Sequence, residues 1–308
     1  MPDPRGRQGR QHLFEDIVTI AICAVVCGAD AWTEVSQFGE AKVKWFKTFL
    51  NLPYGIPSHD TFGAVFAVID PNALERFFLS WINALAEKSE GRLIAIDGKT
   101  LRRSFDRASD KAAIHMVSAW ASANDLCFGQ LATDAKSNEI TAIPKLLELL
   151  DLSGAIVTID AMGCQKAISR QIVEQGGAYV LAVKENQPIL HDEMKLFLDD
   201  AITRNFKDIG HDFHESLEKG HGRIETRRIW CTPQVDWFED RHRWSGLHSF
   251  AVVERERTVN EETSCERHYF ISTLDGRDAK AMGDAVRSHW RVENGLHWAL
   301  DVSFAEDH

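Results

Sequence analysis

The sequence has no apolar run long enough to cross a bilayer. Its best candidate, Ile17 to Ala29, falls well short of the ~20 residues a spanning helix needs and reads as a core helix instead. The chain opens Met1-Pro2-Asp3-Pro4-Arg5, without the apolar centre of a secretory signal. Its six cysteines are scattered and form no C-x-x-C pair, so neither a disulfide framework nor a redox motif is indicated. Cys23 and Cys27, four apart in the apolar run, are expected to be buried thiols. A cytoplasmic protein with no membrane association follows. Positive charge is also short: the net charge of −11 argues against a protein that coats nucleic acid through sheer electrostatics. Internal repeats and low-complexity tracts are missing too.

The 308 residues suffice for one large or two ordinary domains with a sizeable core. Their basic residues cluster locally: Arg5, Arg7 and Arg10; Lys42, Lys44 and Lys47; and Lys99, Arg102, Arg103, Arg107 and Lys111. The first two clusters read as solvated faces. The third directly follows a carboxylate, Asp97, that ends a short apolar run, Arg92 to Thr100.

Residues 1–90 form an all-α module. The apolar run stops at Gly28; Thr33 is a plausible cap for a helix carrying Val35, Phe38, Val43, Trp45 and Phe46; Ser58 caps the next helix, and Asp70-Pro71 opens another. A polar stretch ending at Gly91 marks the boundary. Beyond it the period changes. Strands are expected within 92–100 and at 112–121, 127–133, 155–160 and 178–183, with helices at 140–150 and 165–174. Three strands, helix, strand, helix, strand is the order of a ribonuclease-H-like domain, which places the first and fourth strands side by side. Fold class is therefore α/β: a ribonuclease-H-like mixed sheet with flanking helices over 91–308, interrupted by a β-rich insertion at about 190–275. Strands at 224–231, 248–258 and 267–273 carry the insertion, and a helix from Asp278 toward Leu300 follows.

Two strands built alike end in Asp97 and Asp160. A carboxylate at the end of a buried strand costs several kcal/mol to desolvate unless it is paired, hydrogen-bonded or on a metal. On the last helix His289, Glu293, His297 and Asp301 recur every four residues, a step that drifts by only ~40°, so they share one stripe. Glu293 can then reach the strand-end carboxylates. Three carboxylates without thiolates suit Mg²⁺ or Mn²⁺. Two such ions about 3.5–4 Å apart serve in-line phosphoryl transfer, with Asp97 bridging both and Asp160 and Glu293 each completing one.

Rival readings are weaker. Gly98-Lys99-Thr100 resembles the end of a phosphate-binding loop, but Leu93 stands where that motif needs Gly. Zinc on His289, Glu293 and His297 does not match the H-E-x-x-H spacing. A helix-turn-helix over 34–70 lacks a basic recognition face.

Four stretches, Ile94 to Ser104, Lys136 to Pro144, Val157 to Gln165 and His289 to Trp298, together with Gly55 to Phe62, resemble the signature of ISAs-type DDE transposases, the group that includes the H-repeat-associated proteins of bacteria. The resemblance runs over essentially the whole chain. It implies a bacterial insertion-sequence transposase with a ribonuclease-H-like core, whose metal triad is Asp97, Asp160 and Glu293. Such a protein cleaves and joins DNA at terminal inverted repeats and at target DNA, working as a homo-oligomer in the cytoplasm on the nucleoid. Lys99, Arg102, Arg103 and Lys184 are expected DNA contacts. Lys184-Glu185-Asn186-Gln187 departs from the family's Lys-Gly-Asn-Gln and adds an acid. Family members usually continue into a basic helical tail past Asp307, so a C-terminal truncation is expected. The alternatives are then a truncated, inactive remnant that binds DNA or an intact partner, and a metal-dependent nuclease that cuts without joining.

Overall fold

The structure, a computed structural model, describes residues 1–6, 10–86, 93–101, 114–121, 126–133, 139–220, 223–259 and 262–302. Two units emerge, Met1–Ala84 and Leu85–His308. The first consists of α1 (Phe14–Val26), α2 (Trp32–Ala41), α3 (Val43–Phe46), α4 (His59–Phe66) and α5 (Pro71–Ala86). Ile17, Ile20, Ala24, Val35, Phe46 and Phe62 build its core, and each large apolar side chain removed from water there contributes about 1.5–3 kcal/mol. Ser58 Oγ caps α4 by accepting from the Thr61 amide, as its position predicts. α2 starts one residue before Thr33, capped by Ala31, and separates from α3 at Lys42. Cys23 is half-buried and Cys27 exposed, because only one stripe of α1 faces the core. The expectation of two buried thiols therefore fails at Cys27.

A nine-stranded mixed sheet forms the second unit, a ribonuclease-H-like α/β fold. Its strands are β1 (Leu93–Leu101), β2 (Ile114–Ala121), β3 (Leu126–Ala132), β4 (Ile156–Ile159), β5 (Ala178–Val183), β6 (Asp212–Gly220), β7 (Arg223–Thr232), β8 (Ser249–Val259) and β9 (Glu262–Ser272), in the spatial order β3-β2-β1-β4-β5-β9-β8-β7-β6. β1, β4 and β5 are parallel neighbours, and the remaining pairs are antiparallel. Central parallel strands are covered on both faces, which is why β1 and β4 read as continuous apolar runs. The four strands β6 to β9 continue this sheet through the β5–β9 pairing rather than forming a second one. β6 has no counterpart in the sequence reading. It lies at the sheet edge with Phe213 and Leu217 exposed, so no apolar alternation announces it.

Helices α6 (Glu139–Glu148), α7 (Lys166–Glu174), α8 (Pro188–Thr203) and α9 (Ala279–Val292) connect and cover the strands. Asp278 caps α9, its carboxylate accepting from the Ala281 amide at 2.9 Å. The last helix is not regular throughout. A π-helical turn, Glu293–His297, joins α9 to α10 (Trp298–Val302). Among the described residues no helix is long and apolar enough to cross a membrane.

Candidate active site

Strand register brings the two aspartates together. β1 and β4 pair as Leu93↔Ile156, Ala95↔Thr158 and Ile96↔Ile159, and the next residues are Asp97 and Asp160. Asp160 follows the end of β4 as expected, whereas Asp97 lies within β1, which runs on to Leu101 because its pairing with β2 continues from Asp97↔Ser118 to Leu101↔Ile114. Side chains alternate between faces, so Leu93, Ala95 and Asp97 share a face with Ile156, Thr158 and Asp160. α9 and the π-turn cover this face. Val292 and Leu296 pack with Ala95 and Trp120, and His289 Nδ1 lies 3.2 Å from Thr158 Oγ1.

Those packing contacts set the polar stripe down along the sheet. His289 stands over β4, His297 Nδ1 lies 3.8 Å from Asp97 Oδ2, and Asp301 meets Lys99 Nζ at 2.6 Å. Glu293 lines the same cavity as Asp97, Asp160 and Lys184, a space of about 320 Å³ that continues to Arg255 and Trp290. A straight α-helix would rotate the stripe by ~40° at each step of four. The wider π-turn absorbs part of that drift, and such turns recur at functional sites. Gly295 within it permits close approach: a Cβ there would lie 3.1 Å from Trp120 Cζ2. Gly295→Val is accordingly expected to lift the turn off β2, costing about 1–3 kcal/mol by overpacking; a thermal melt reading below wild type checks this.

Asp160 closes its own strand end, its Oδ1 accepting from the Met162 amide at 3.1 Å and the Gly163 amide at 3.3 Å. The loop after β5 braces that turn: Asn186 Nδ2 donates to the Ala161 carbonyl, and Gln187 Nε2 to the Cys164 carbonyl at 2.9 Å. Glu185 is exposed and is not part of the cavity lining.

Asp97 is the electrostatic centre. Burial pushes its carboxyl up to about 7, the Gly98 amide opposes this by donating to Oδ1, and the charges of Asp160, Glu139 and Glu293 add to the rise. Neutral imidazoles surround it, since burial holds both His289 and His297 below the usual histidine range. Oxygen donors of one sign, gathered until one of them resists ionisation, are a donor set for a hard divalent cation. As they stand, no three acidic, imidazole or thiol groups among the described residues converge closely enough to ligate one ion. The carboxylates therefore share a cavity without forming a closed ligand set among the described residues.

Not every expected site residue lies where the sequence put it. Lys99 is 11% exposed and holds Asp301, while Lys184 lines the cavity. Arg102 and Arg103 lie outside the described residues. One acid escaped the sequence reading: Glu139, whose Oε1 lies 2.6 Å from His115 Nε2, over Gly98 on the opposite face of β1. Only the register, which sets His115 across from Thr100, brings that pair to Asp97.

Comparison with known proteins places the whole chain with one family. Residues 88–308 match the family model described as Transposase DDE domain, and residues 1–82 match one described as DDE_Tnp_1-associated. A Xanthobacter autotrophicus protein, described as an uncharacterized protein in the dhlA 3' region, is 47% identical over 277 residues, covering 89% of this chain and 92% of its own. The putative transposase YncI of Escherichia coli O157:H7 is 42% identical over 311 residues, covering 100% of this chain and 79% of its own. The H repeat-associated putative transposase YhhI of Escherichia coli K12 is 39% identical over 312 residues, covering 100% and 82%.

Proposed function

The chain belongs to the DDE transposase family, and we propose that it cleaves DNA strands at the ends of an insertion sequence and joins the freed 3′ hydroxyl to target DNA. The observation that carries this reading is the shared cavity of Asp97, Asp160 and Glu293, with Asp97 raised chiefly by burial and further by the charges around it, those of the other two included. These three carboxylates would hold divalent ions, Mg²⁺ or Mn²⁺, most simply two. Bound there, such ions activate an attacking oxygen and stabilise a leaving one.

The protein's own groups do the rest. Asp97 and Asp160 sit on neighbouring strands, so their separation is set by the sheet rather than by flexible loops. Glu293 comes from a helix packed on that sheet through Val292 and Leu296. Lys184, which lines the same cavity and is exposed, supplies positive charge for backbone phosphate, whereas Arg255 is held by Glu225 at 2.8 and 3.2 Å. His289 and His297, held neutral by burial, occupy the stripe without adding charge against the carboxylates. Partners of this reading are terminal inverted repeats, target DNA and further copies of the chain assembled on them, in the bacterial cytoplasm at the nucleoid. The helical unit 1–84 and the catalytic unit take the two family segments in turn.

A supercoiled plasmid carrying the element ends tests the proposal, with Mg²⁺ against EDTA. Nicking and joining that require metal and vanish in Asp97→Ala support it. Cutting without joining would leave a nuclease, and binding without cutting an inactive remnant. Millimolar Mn²⁺ should also raise the melting temperature, since a ligand at 100 times its Kd stabilises by ~2.7 kcal/mol.

A further inference from the structure

Lys99 stands two residues beyond Asp97 on the same face of β1, and Asp301 stands two helical turns beyond Glu293. Their ends meet at 2.6 Å, with Lys99 11% and Asp301 32% exposed. His297 lies between the two carboxylate positions, 3.8 Å from Asp97 and influenced by both Lys99 and Asp301. The apolar packing of Val292 and Leu296 is non-directional, and the contact of His289 with Thr158 ties the helix to β4 only on the N-terminal side of Glu293. A π-turn sits in the same stretch, where the backbone can slip by one residue. An ion pair whose lysine is largely buried supplies, on the C-terminal side, the direction that apolar packing lacks.

We propose that the Lys99–Asp301 ion pair is a latch that fixes the helix of Glu293 in register with the strand of Asp97, so that both are positioning residues acting through Glu293. This replaces a phosphate contact as the role of Lys99, and it rests on the reading of Asp97, Asp160 and Glu293 as a metal-holding set.

The test is a calorimetric Mn²⁺ titration of the full chain, alongside melting in EDTA. Asp301→Asn and Lys99→Met should each weaken Mn²⁺ binding about tenfold, the usual scale for losing a residue that orients a metal ligand. Lys99→Arg should restore most of the affinity. In a Glu293→Gln background, adding Asp301→Asn should weaken binding no further, because the latch has nothing left to position. A plain stabilising contact or a direct charge effect would lower affinity again in that background, and this result overturns the latch. Unchanged Mn²⁺ affinity in both single variants overturns it as well. If Asp97→Asn binds Mn²⁺ as well as wild type, the metal-holding set itself fails and the latch falls with it; if Asp97→Asn loses binding while the latch variants keep it, the latch alone fails.

Discussion

Asp97→Asn is expected to make the metal-free protein more stable at about pH 8 than wild type, and no more stable at about pH 4. The carboxyl of Asp97 is raised to about 7 in the folded chain, chiefly by burial, against ~3.9 when unfolded. Between those values the folded state binds more protons than the unfolded one, so stability falls as pH rises through the window and stays low above it. Each pH unit of difference corresponds to 1.36 kcal/mol, giving an upper bound of roughly 4 kcal/mol. With the side chain 18% exposed and Glu293 open to solvent screening, about 2 kcal/mol is the working figure. That corresponds to roughly 4–8 °C in a unit of this size. Asn keeps the shape and removes this one titration, so the two melting curves should diverge across the window by the Asp97 contribution alone, while the burial-depressed His289 and His297 act equally in both proteins. Scanning calorimetry in EDTA at several pH values reads this directly, and identical slopes for the two proteins would refute it. Added Mn²⁺ should reverse the ranking, raising wild type and leaving the variant in place.

Much of this arrangement is legible in the residues before any coordinates. β1 and β4 declare themselves as apolar runs ending in aspartate, and the order of strands and helices makes them neighbours, as the register confirms. The stripe His289, Glu293, His297, Asp301 is legible from spacing alone, and all four face the sheet or the cavity. What spacing cannot show is the π-turn, because a single inserted residue leaves the apolar period of Val292, Leu296 and Leu300 intact. Lys99 was legible as a cation beside Asp97 but not as Asp301's partner, since that contact depends on where the final helix crosses β1. Glu139 was hidden for the same reason: its approach over Gly98 needs α6 and β2 to be placed first. Edge strand β6 was lost because an edge needs no buried face.

Glu293→Gln is expected to separate catalysis from folding. Glu293 is exposed at the cavity rim and makes no hydrogen bond or ion pair among the described residues. Surface substitutions of this kind change stability by about 0.5 kcal/mol or less, so the variant should melt with wild type in EDTA. Its activity should fall much further. If Glu293 completes one of the metal positions, its amide replacement removes a charged oxygen donor from a site whose ion supplies several kcal/mol of transition-state stabilisation. At 1.36 kcal/mol for each tenfold in rate, losing about 4 kcal/mol lowers strand cleavage roughly 10³-fold. The contrast with Asp97→Asn is the discriminating part. Both variants should be inactive on plasmid, yet Asp97→Asn should gain much the larger stability at high pH, because burial, the largest cause of the rise, acts on Asp97 itself and Glu293 adds the smallest of the named charges. Glu293→Gln with wild-type cleavage would remove the helix from the chemistry and leave Asp97 and Asp160 to act with some other acid. Glu139 would then be the first to substitute, since it already adds to the charge that raises Asp97 from the opposite face of the strand.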